Sequence, residues 1–157
     1  MQSADTLFRT VSGADHLGFW NDTGFRAKSV ADFLELRNAE VAKIARIAKN
    51  SVRFDDEIPR DMRERLEEIA NICNLVAQFF AGDAQKTALW FRTKNPMLGD
   101  ISPRDMIRFG RYDKLRRFVI DAQTARDADR RASGQVGKTP ATHDRTEAAT
   151  RVEMAST

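Results

Sequence analysis

The sequence has very few of the residues that disulfides and metal sites require. It contains one cysteine, Cys73, and two histidines, His16 and His143, which lie far apart along the chain. One thiol cannot form an internal disulfide, and two isolated imidazoles give no metal-ligand spacing. We therefore expect no metal or other cofactor, and we predict that Cys73 packs as a small hydrophobic residue.

Long apolar runs are also missing. No uncharged apolar run approaches the ~20 residues that a membrane-spanning helix needs. The opening residues MQSADTLFRTVSG lack a basic start followed by an apolar segment. We therefore expect no membrane association and a cytoplasmic location.

The usual arrangements of catalytic groups are absent from the sequence as well. There is no glycine-rich phosphate loop, and no serine or cysteine stands beside a histidine that would act as a base. The acids Asp55, Asp56 and Glu57 precede a predicted helix, where the helix dipole favours negative charge. We predict no catalytic residues and do not expect an enzyme.

The 157 residues that are present are 31% charged and 41% hydrophobic, which is typical of a soluble globular protein with one modest core. The net charge of +3 permits nucleic-acid binding without requiring it. Residues 1–28 have scattered aromatic residues and no sustained period, so we interpret them as an irregular N-terminal arm. Residues 126–157 have no aromatic residue and are predicted to be a disordered tail.

Helical periodicity dominates between these two ends, which predicts an all-α fold. Ser29 is placed to cap a helix over VADFLEL and Asn38 to cap AEVAKIARI, and a third short helix begins at KNSVRF. A longer helix follows Pro59, and Asp83 is placed to cap the helix after it. The apolar stripe of the longer helix comprises Met62, Leu66, Ile69, Cys73, Val76 and Phe80.

The segment from Leu34 to Arg53 has the helix, tight turn, helix order of a helix-turn-helix unit, which we assign to residues 29–58. Its second helix would present amides and cations suited to base edges and phosphates in a major groove. The candidate DNA-binding residues are Arg46, Lys49, Asn50, Ser51 and Arg53. The alternative is that these are three short core helices with ordinary solvated basic residues.

The stretch FRTKNPMLGDISPRDMI, residues 91–107, interrupts the helical pattern several times. Asn95-Pro96 is expected to stop the preceding helix, because proline cannot donate to the helical ladder and restricts the residue before it. Gly99 permits a positive φ, and Ser102-Pro103 has the composition of a helix start. Met106, Ile107 and Phe109 are predicted to form the apolar side of a short helix that ends at Gly110. A last helix follows, with Tyr112, Leu115, Phe118 and Val119 inward.

These residues resemble the Xre/MbcA/ParS antitoxins. The resemblance rests on Trp90, Asn95, Leu98, Pro103 and Gly110, which are followed by an apolar helix. WFRTKNPMLGDISPRDMIRFGRYDKLRRFVIDA is similar to the toxin-binding domain of that family. LELRNAEVAKIARIAKNSVR is similar to its Xre-like helix-turn-helix, so the resemblance covers residues 29–122.

The resemblance implies an antitoxin that binds a RES-domain toxin, an enzyme that consumes NAD or transfers from it, and covers its active-site entrance. It also implies binding to double-stranded operator DNA, with autorepression, and a homodimer within a toxin–antitoxin hetero-oligomer. The toxin-binding domain and the central helix are assigned to residues 59–125. The exposed candidates for toxin contact are Arg104, Arg108, Arg111 and Lys114, whereas Trp90, Leu98, Pro103 and Gly110 are expected to shape the surface.

Two alternatives stay open. One is a dimeric helix-turn-helix transcriptional regulator without a toxin partner, in which the C-terminal half only dimerises. The other is a small helical enzyme.

Overall fold

The computed structural model describes residues 14–135. The predictions for residues 1–13 and 136–157 therefore lie outside the described residues. The chain divides into two compact units, one that ends at Asp121 and one that begins at Ala122. The region predicted as a helix-turn-helix, and residues 59–121 after it, lie within the first unit.

Helices contain most of the described residues, which confirms the all-α class. An antiparallel hairpin with strands of two residues each comes first, in which β1 (Trp20–Asn21) pairs with β2 (Gly24–Phe25). The helices are α1 (Ala27–Phe33), α2 (Asn38–Ala45), α3 (Arg60–Phe79), α4 (Ala84–Arg92), α5 (Pro103–Arg108) and α6 (Tyr112–Gln135), with single 3₁₀ turns at Lys49–Ser51 and Pro96–Leu98. Among residues 14–135, no helix is long and apolar enough to cross a bilayer.

Helix α3 supplies the longest continuous part of the core. The predicted stripe is buried from Met62 to Val76, and Phe80, just after the helix, is half-buried. Helices α1, α2 and α4 all pack against α3. Cys73 is fully buried, which confirms the prediction that it packs as a hydrophobic residue, and this burial raises the pKa of its thiol.

The described part of the N-terminal arm is attached to α3 by a buried polar side chain. The side-chain oxygen of Asn74 accepts a hydrogen bond from the Leu17 N–H at 3.1 Å, and its amide donates to Asp15 Oδ1 at 3.0 Å. Phe19 is buried in the core beside this contact. The hairpin is the only regular structure in residues 14–26. This attachment depends on residues 59 apart in sequence, so no local pattern indicated it.

The first two helices begin at different residues from those predicted. Helix α1 begins at Ala27, so the prediction that Ser29 caps it is wrong, and Ser29 lies inside the first turn. The buried face starts at Ala27, and alanine favours helix, so the helix extends back to this position. Helix α2 includes Asn38, and the residue that flanks it is Arg37, whose N–H donates to the Glu40 carboxylate at 2.8 Å.

The third short helix predicted at KNSVRF is present only as the 3₁₀ turn Lys49–Ser51, and Val52 leaves it in an extended conformation. Asparagine and serine, which occupy two of the three positions of this turn, favour turns over helix. Arg53 therefore lies beyond the turn. The predicted second helix, which would present Lys49, Asn50, Ser51 and Arg53, is therefore reduced to a single 3₁₀ turn.

The caps predicted for the C-terminal half are confirmed. Asp83 and Ser102 each accept a hydrogen bond from the backbone N–H three residues later, at 3.0 and 3.1 Å. Pro103 is the first residue of α5, and Gly110 follows the end of that helix with φ of 76°. The starts of α4 and α5 and the end of α5 are therefore determined by local chemistry.

Helix α6 continues to Gln135, so the prediction of a disordered tail is wrong for residues 126–135. This stretch contains three arginines, two alanines and a glutamine, which have high helix propensity, and no proline. The lack of large apolar residues, on which the prediction relied, therefore did not exclude helix.

Candidate functional site

The connection between α4 and α5 is a tight loop whose two ends are joined by hydrogen bonds. The Asn95 N–H donates to the Ile101 carbonyl at 3.0 Å, and the Asp100 N–H donates to the Asn95 carbonyl at 3.1 Å. The side-chain oxygen of Asn95 accepts from the Met97 N–H at 2.9 Å. The buried side chain of Leu98 attaches the loop to the core.

Two successive left-handed residues reverse the chain inside this loop. Gly99 has φ of 82° and Asp100 has φ of 61°. Glycine adopts this conformation without a steric penalty and aspartate tolerates it, so the predicted role of Gly99 is confirmed. Helix α4 ends at Arg92, before the Asn95-Pro96 pair that was expected to stop it. The hydrogen bonds within the loop and the two left-handed residues restrict its backbone to one tight corner.

Arg104, a predicted toxin contact, binds the end of α1 instead. Its guanidinium donates from Nε to the Leu34 carbonyl and from Nη2 to the Glu35 carbonyl, the latter at 2.7 Å. The last carbonyls of a helix have no partner within that helix, and here Glu35 is left-handed with φ of 52°. Arg104 therefore caps α1 from a helix that lies 70 residues later in the chain.

Arg108, a second predicted toxin contact, is also engaged within the protein. Its Nε donates to Glu40 Oε1 at 2.6 Å, and its Nη1 donates to Asp105 Oδ1 at 2.9 Å. The first bond joins α5 to α2, which pack against each other. Arg92, at the end of α4, makes a third such contact with Glu35 at 3.0 Å. These arginines hold the α1–α2 region against the C-terminal helices.

Arg111 and Lys114, the other two predicted toxin contacts, are exposed. Arg111 directly precedes α6, and Lys114 lies in its first turn. The four candidates therefore divide into two that stabilise the fold and two that face solvent.

Exposed cations and exposed apolar side chains occur together in residues 84–117. This stretch has nine lysines and arginines against three aspartates, a formal charge of +6, whereas the whole chain has +3. Leu89 is 66% exposed, Met97 79% and Phe109 54%. We call the exposed side chains of residues 84–117 the basic surface. Exposed apolar side chains mark interaction sites when they lie close together, and helices α4 and α5, which carry or adjoin these three residues, pack against each other.

The sequence did not indicate these three apolar positions. Phe109 was predicted to face the core, which is wrong, because α5 ends at Arg108 and the chain turns away at Gly110. Leu89 lies in a run of four apolar residues, 88–91, of which only Phe91 is fully buried. Met97 lies between Pro96 and Leu98 in a 3₁₀ turn, whose geometry places Leu98 in the core and leaves Met97 exposed.

The candidate DNA-binding residues lie around the end of α2. Arg46 is left-handed, with φ of 57°, at the position where a glycine is common, and Lys49, Asn50 and Ser51 form the exposed 3₁₀ turn. The guanidinium of Arg53 is bonded to acids, with Nε to Asp55 Oδ1 at 2.7 Å and Nη1 to Glu57 at 2.8 Å. The exposed cations are present, but a helix that would carry all five candidates into a major groove is not.

Two of the acids that follow Arg53 form ion pairs with its guanidinium, Asp55 and Glu57. The hydrogen bond from Arg53 holds the pKa of Asp55 below its ordinary value, whereas a general acid requires a raised pKa. Within residues 14–135, no group of three or more histidine, cysteine, aspartate or glutamate side chains is placed to hold a metal ion.

No protein-family model matches the chain, and comparisons with curated proteins and with solved structures give no significant match.

Replacement of Arg104 by alanine should destabilise the protein, because the Leu34 and Glu35 carbonyls lose their charged donor. We expect a loss of roughly 1–3 kcal/mol in the free energy of unfolding, measured by urea titration. Arg117→Ala, at an exposed arginine on α6, is the matched control. Equal stability of the Arg104 variant and the control would contradict the capping role.

Glu40 should make the stability of the protein pH-dependent in the acidic range. Partial burial raises the pKa of Glu40, but hydrogen bonds from the Arg37 N–H and the Arg108 guanidinium outweigh it and hold the pKa below its ordinary value. The ionised carboxylate therefore stabilises the fold above the unfolded-state pKa, and this contribution is lost as the pH falls through the folded-state pKa. Glu40→Gln should be less stable than the wild type at pH 7, and the difference should disappear at low pH. A difference that stays constant from pH 7 to pH 3 in urea titrations would contradict this role.

Proposed function

We propose that this chain is an antitoxin that binds a RES-domain toxin through the basic surface and covers the entrance to its active site. The observation that carries the proposal is the combination of strong positive charge with exposed Leu89, Met97 and Phe109 on one set of packed helices. Interface centres are enriched in aromatic residues, methionine and arginine. The sequence similarity to the toxin-binding domain covers these same elements.

Rigidity of the surface supports an inhibitory role. An inhibitor whose contact residues are already ordered loses less conformational entropy on binding. The loop from Asn95 to Ile101 is joined by backbone hydrogen bonds at its ends, and α5 is fixed by Arg104 and Arg108. The basic surface therefore has a scaffold that needs little reorganisation to bind a partner.

The division among the arginines refines which cations contact the toxin. Arg104 and Arg108 act as positioning residues, because their donors are occupied by Leu34, Glu35 and Glu40. Arg111 and Lys114 are exposed and are the cations that we assign to carboxylates on the toxin. Their charges would increase the association rate with an acidic partner.

Operator binding through Arg46, Lys49, Asn50, Ser51 and Arg53 stays a prediction. The exposed cations near the end of α2 would contact phosphates, but the single 3₁₀ turn limits direct contact with base edges. The alternative of a dimeric regulator without a toxin partner depends on this DNA contact, and no feature of residues 14–135 favours it over the antitoxin proposal.

The direct test is co-expression with the RES-domain protein encoded next to this chain. We expect the two proteins to purify as a complex and NAD consumption by the toxin to fall when the chain is added in equimolar amount. A toxin that neither binds the chain nor loses activity would contradict the proposed function.

Charge reversal at Arg111 and Lys114 should weaken this complex. Carboxylates near the start of α6 interact favourably with the helix dipole, so Arg111→Glu with Lys114→Glu should fold normally. We expect binding about tenfold weaker or more, with a smaller effect of added salt than in the wild type, measured by calorimetric titration.

The matched control for this pair is Lys43→Glu with Lys49→Glu, which makes the same change of charge at exposed sites on and after α2. This control should bind the toxin as the wild type does. Equal weakening by both pairs would show that net charge, and not the basic surface, determines the affinity. The control pair also tests operator binding, which should weaken and lose salt dependence in it.

A further inference from the structure

Met97 is presented to solvent on a backbone that cannot easily move. It is the most exposed large apolar side chain among residues 14–135, at 79%. Its own N–H is held by the side chain of Asn95, and Leu98 next to it is 7% exposed and packed in the core. The hydrogen bonds between Asn95 and the residues at 100 and 101 close the loop on the other side. The fold therefore fixes the position of Met97 without using its side chain.

A methionine in this position suits a pocket on a partner. Its thioether chain is flexible and polarisable, so it adapts to an apolar cavity, while the fixed backbone limits the entropy lost on binding. The 3₁₀ turn places a buried leucine beside an exposed methionine. Those two residues therefore have different environments, although they are adjacent in sequence and similar in apolar character.

The charge around Met97 indicates what kind of partner fits. Lys94 precedes the loop and is exposed, and residues 84–117, which contain it, carry a formal charge of +6. A second copy of this chain would bring the same positive charge to the interface, which is unfavourable. Nucleic acid would satisfy the cations, but it accepts an apolar side chain only where base steps are unstacked, which costs free energy. A protein with an apolar pocket bordered by carboxylates satisfies both features.

We infer that Met97 is the apolar anchor of the basic surface and inserts into an apolar pocket bordered by carboxylates on the protein partner. This inference rests on the proposed function, in which that partner is the RES-domain toxin. The rigid loop from Asn95 to Ile101 positions the anchor, and the cations beside it pair with the acids at the border of the pocket. Residues that anchor interfaces in this way contribute far more to affinity than their neighbours.

The test compares Met97→Asp with Met97→Leu in binding to the RES-domain protein encoded next to the chain. Aspartate removes the apolar group and places a negative charge among the carboxylates of the partner, so we expect affinity to fall ~30-fold or more. Leucine keeps the apolar volume and should bind within a few-fold of the wild type. Because the side chain is exposed, both variants should melt at the temperature of the wild type, which a thermal scan checks.

The possible outcomes separate this inference from the proposed function. If the wild-type chain does not bind the RES-domain protein, both are overturned. If the wild type binds and Met97→Asp binds equally well, only the anchor is overturned. The anchor is likewise overturned if sedimentation shows a wild-type dimer that Met97→Asp dissociates, or if Met97→Asp abolishes binding to double-stranded DNA. A selective loss in Met97→Asp with retention in Met97→Leu supports the inference.

Discussion

Burial of helix α3 is the constraint on which the rest of the first unit depends. No other described helix of this unit has so long a buried face, and α1, α2 and α4 pack directly against it. Helices of six to nine residues, such as α5 and α4, do not form in isolation, because nucleation costs more than a few hydrogen bonds return. Their stability must come from packing. Several short helices that share one long partner require abrupt corners, and the left-handed residues Glu35, Arg46 and Asp100 lie at such corners.

Arginine side chains supply hydrogen-bond donors to the ends of the short helices. Every additional helix end leaves carbonyl oxygens without partners, and a core built from many ends must satisfy them. Arg104 does so for α1, and Arg108 joins α5 to Glu40 on α2. The forked guanidinium can donate to two acceptors at once, which a lysine in the same place could not match. Part of the positive charge in this half therefore stabilises the fold, and only the remainder is available to a partner.

Local chemistry made much of this architecture predictable from the sequence. The caps at Asp83 and Ser102 and the left-handed Gly99 follow from residue types and their immediate neighbours. The roles of Arg104 and Arg108 could not be predicted, because their partners lie some 70 residues earlier in the chain. The sequence around an arginine does not reveal whether its guanidinium binds a distant carbonyl group or faces solvent. The extension of α6 to Gln135 was missed for a different reason. The helix propensity of its arginines and alanines was given less weight than the absence of large apolar residues.

In the loop between α4 and α5, residues that the fold requires lie next to one whose side chain the fold does not use. Leu98 is buried, and Asn95 and Gly99 are constrained by hydrogen bonding and by a positive φ, so changes at these positions would alter the corner itself. Met97 has none of these constraints, because its contribution to the loop is a backbone N–H that any residue other than proline supplies. A substitution of the side chain at position 97 should therefore leave the corner unchanged. If Met97 is the anchor that we propose, such a substitution changes the affinity for the partner without a cost in stability.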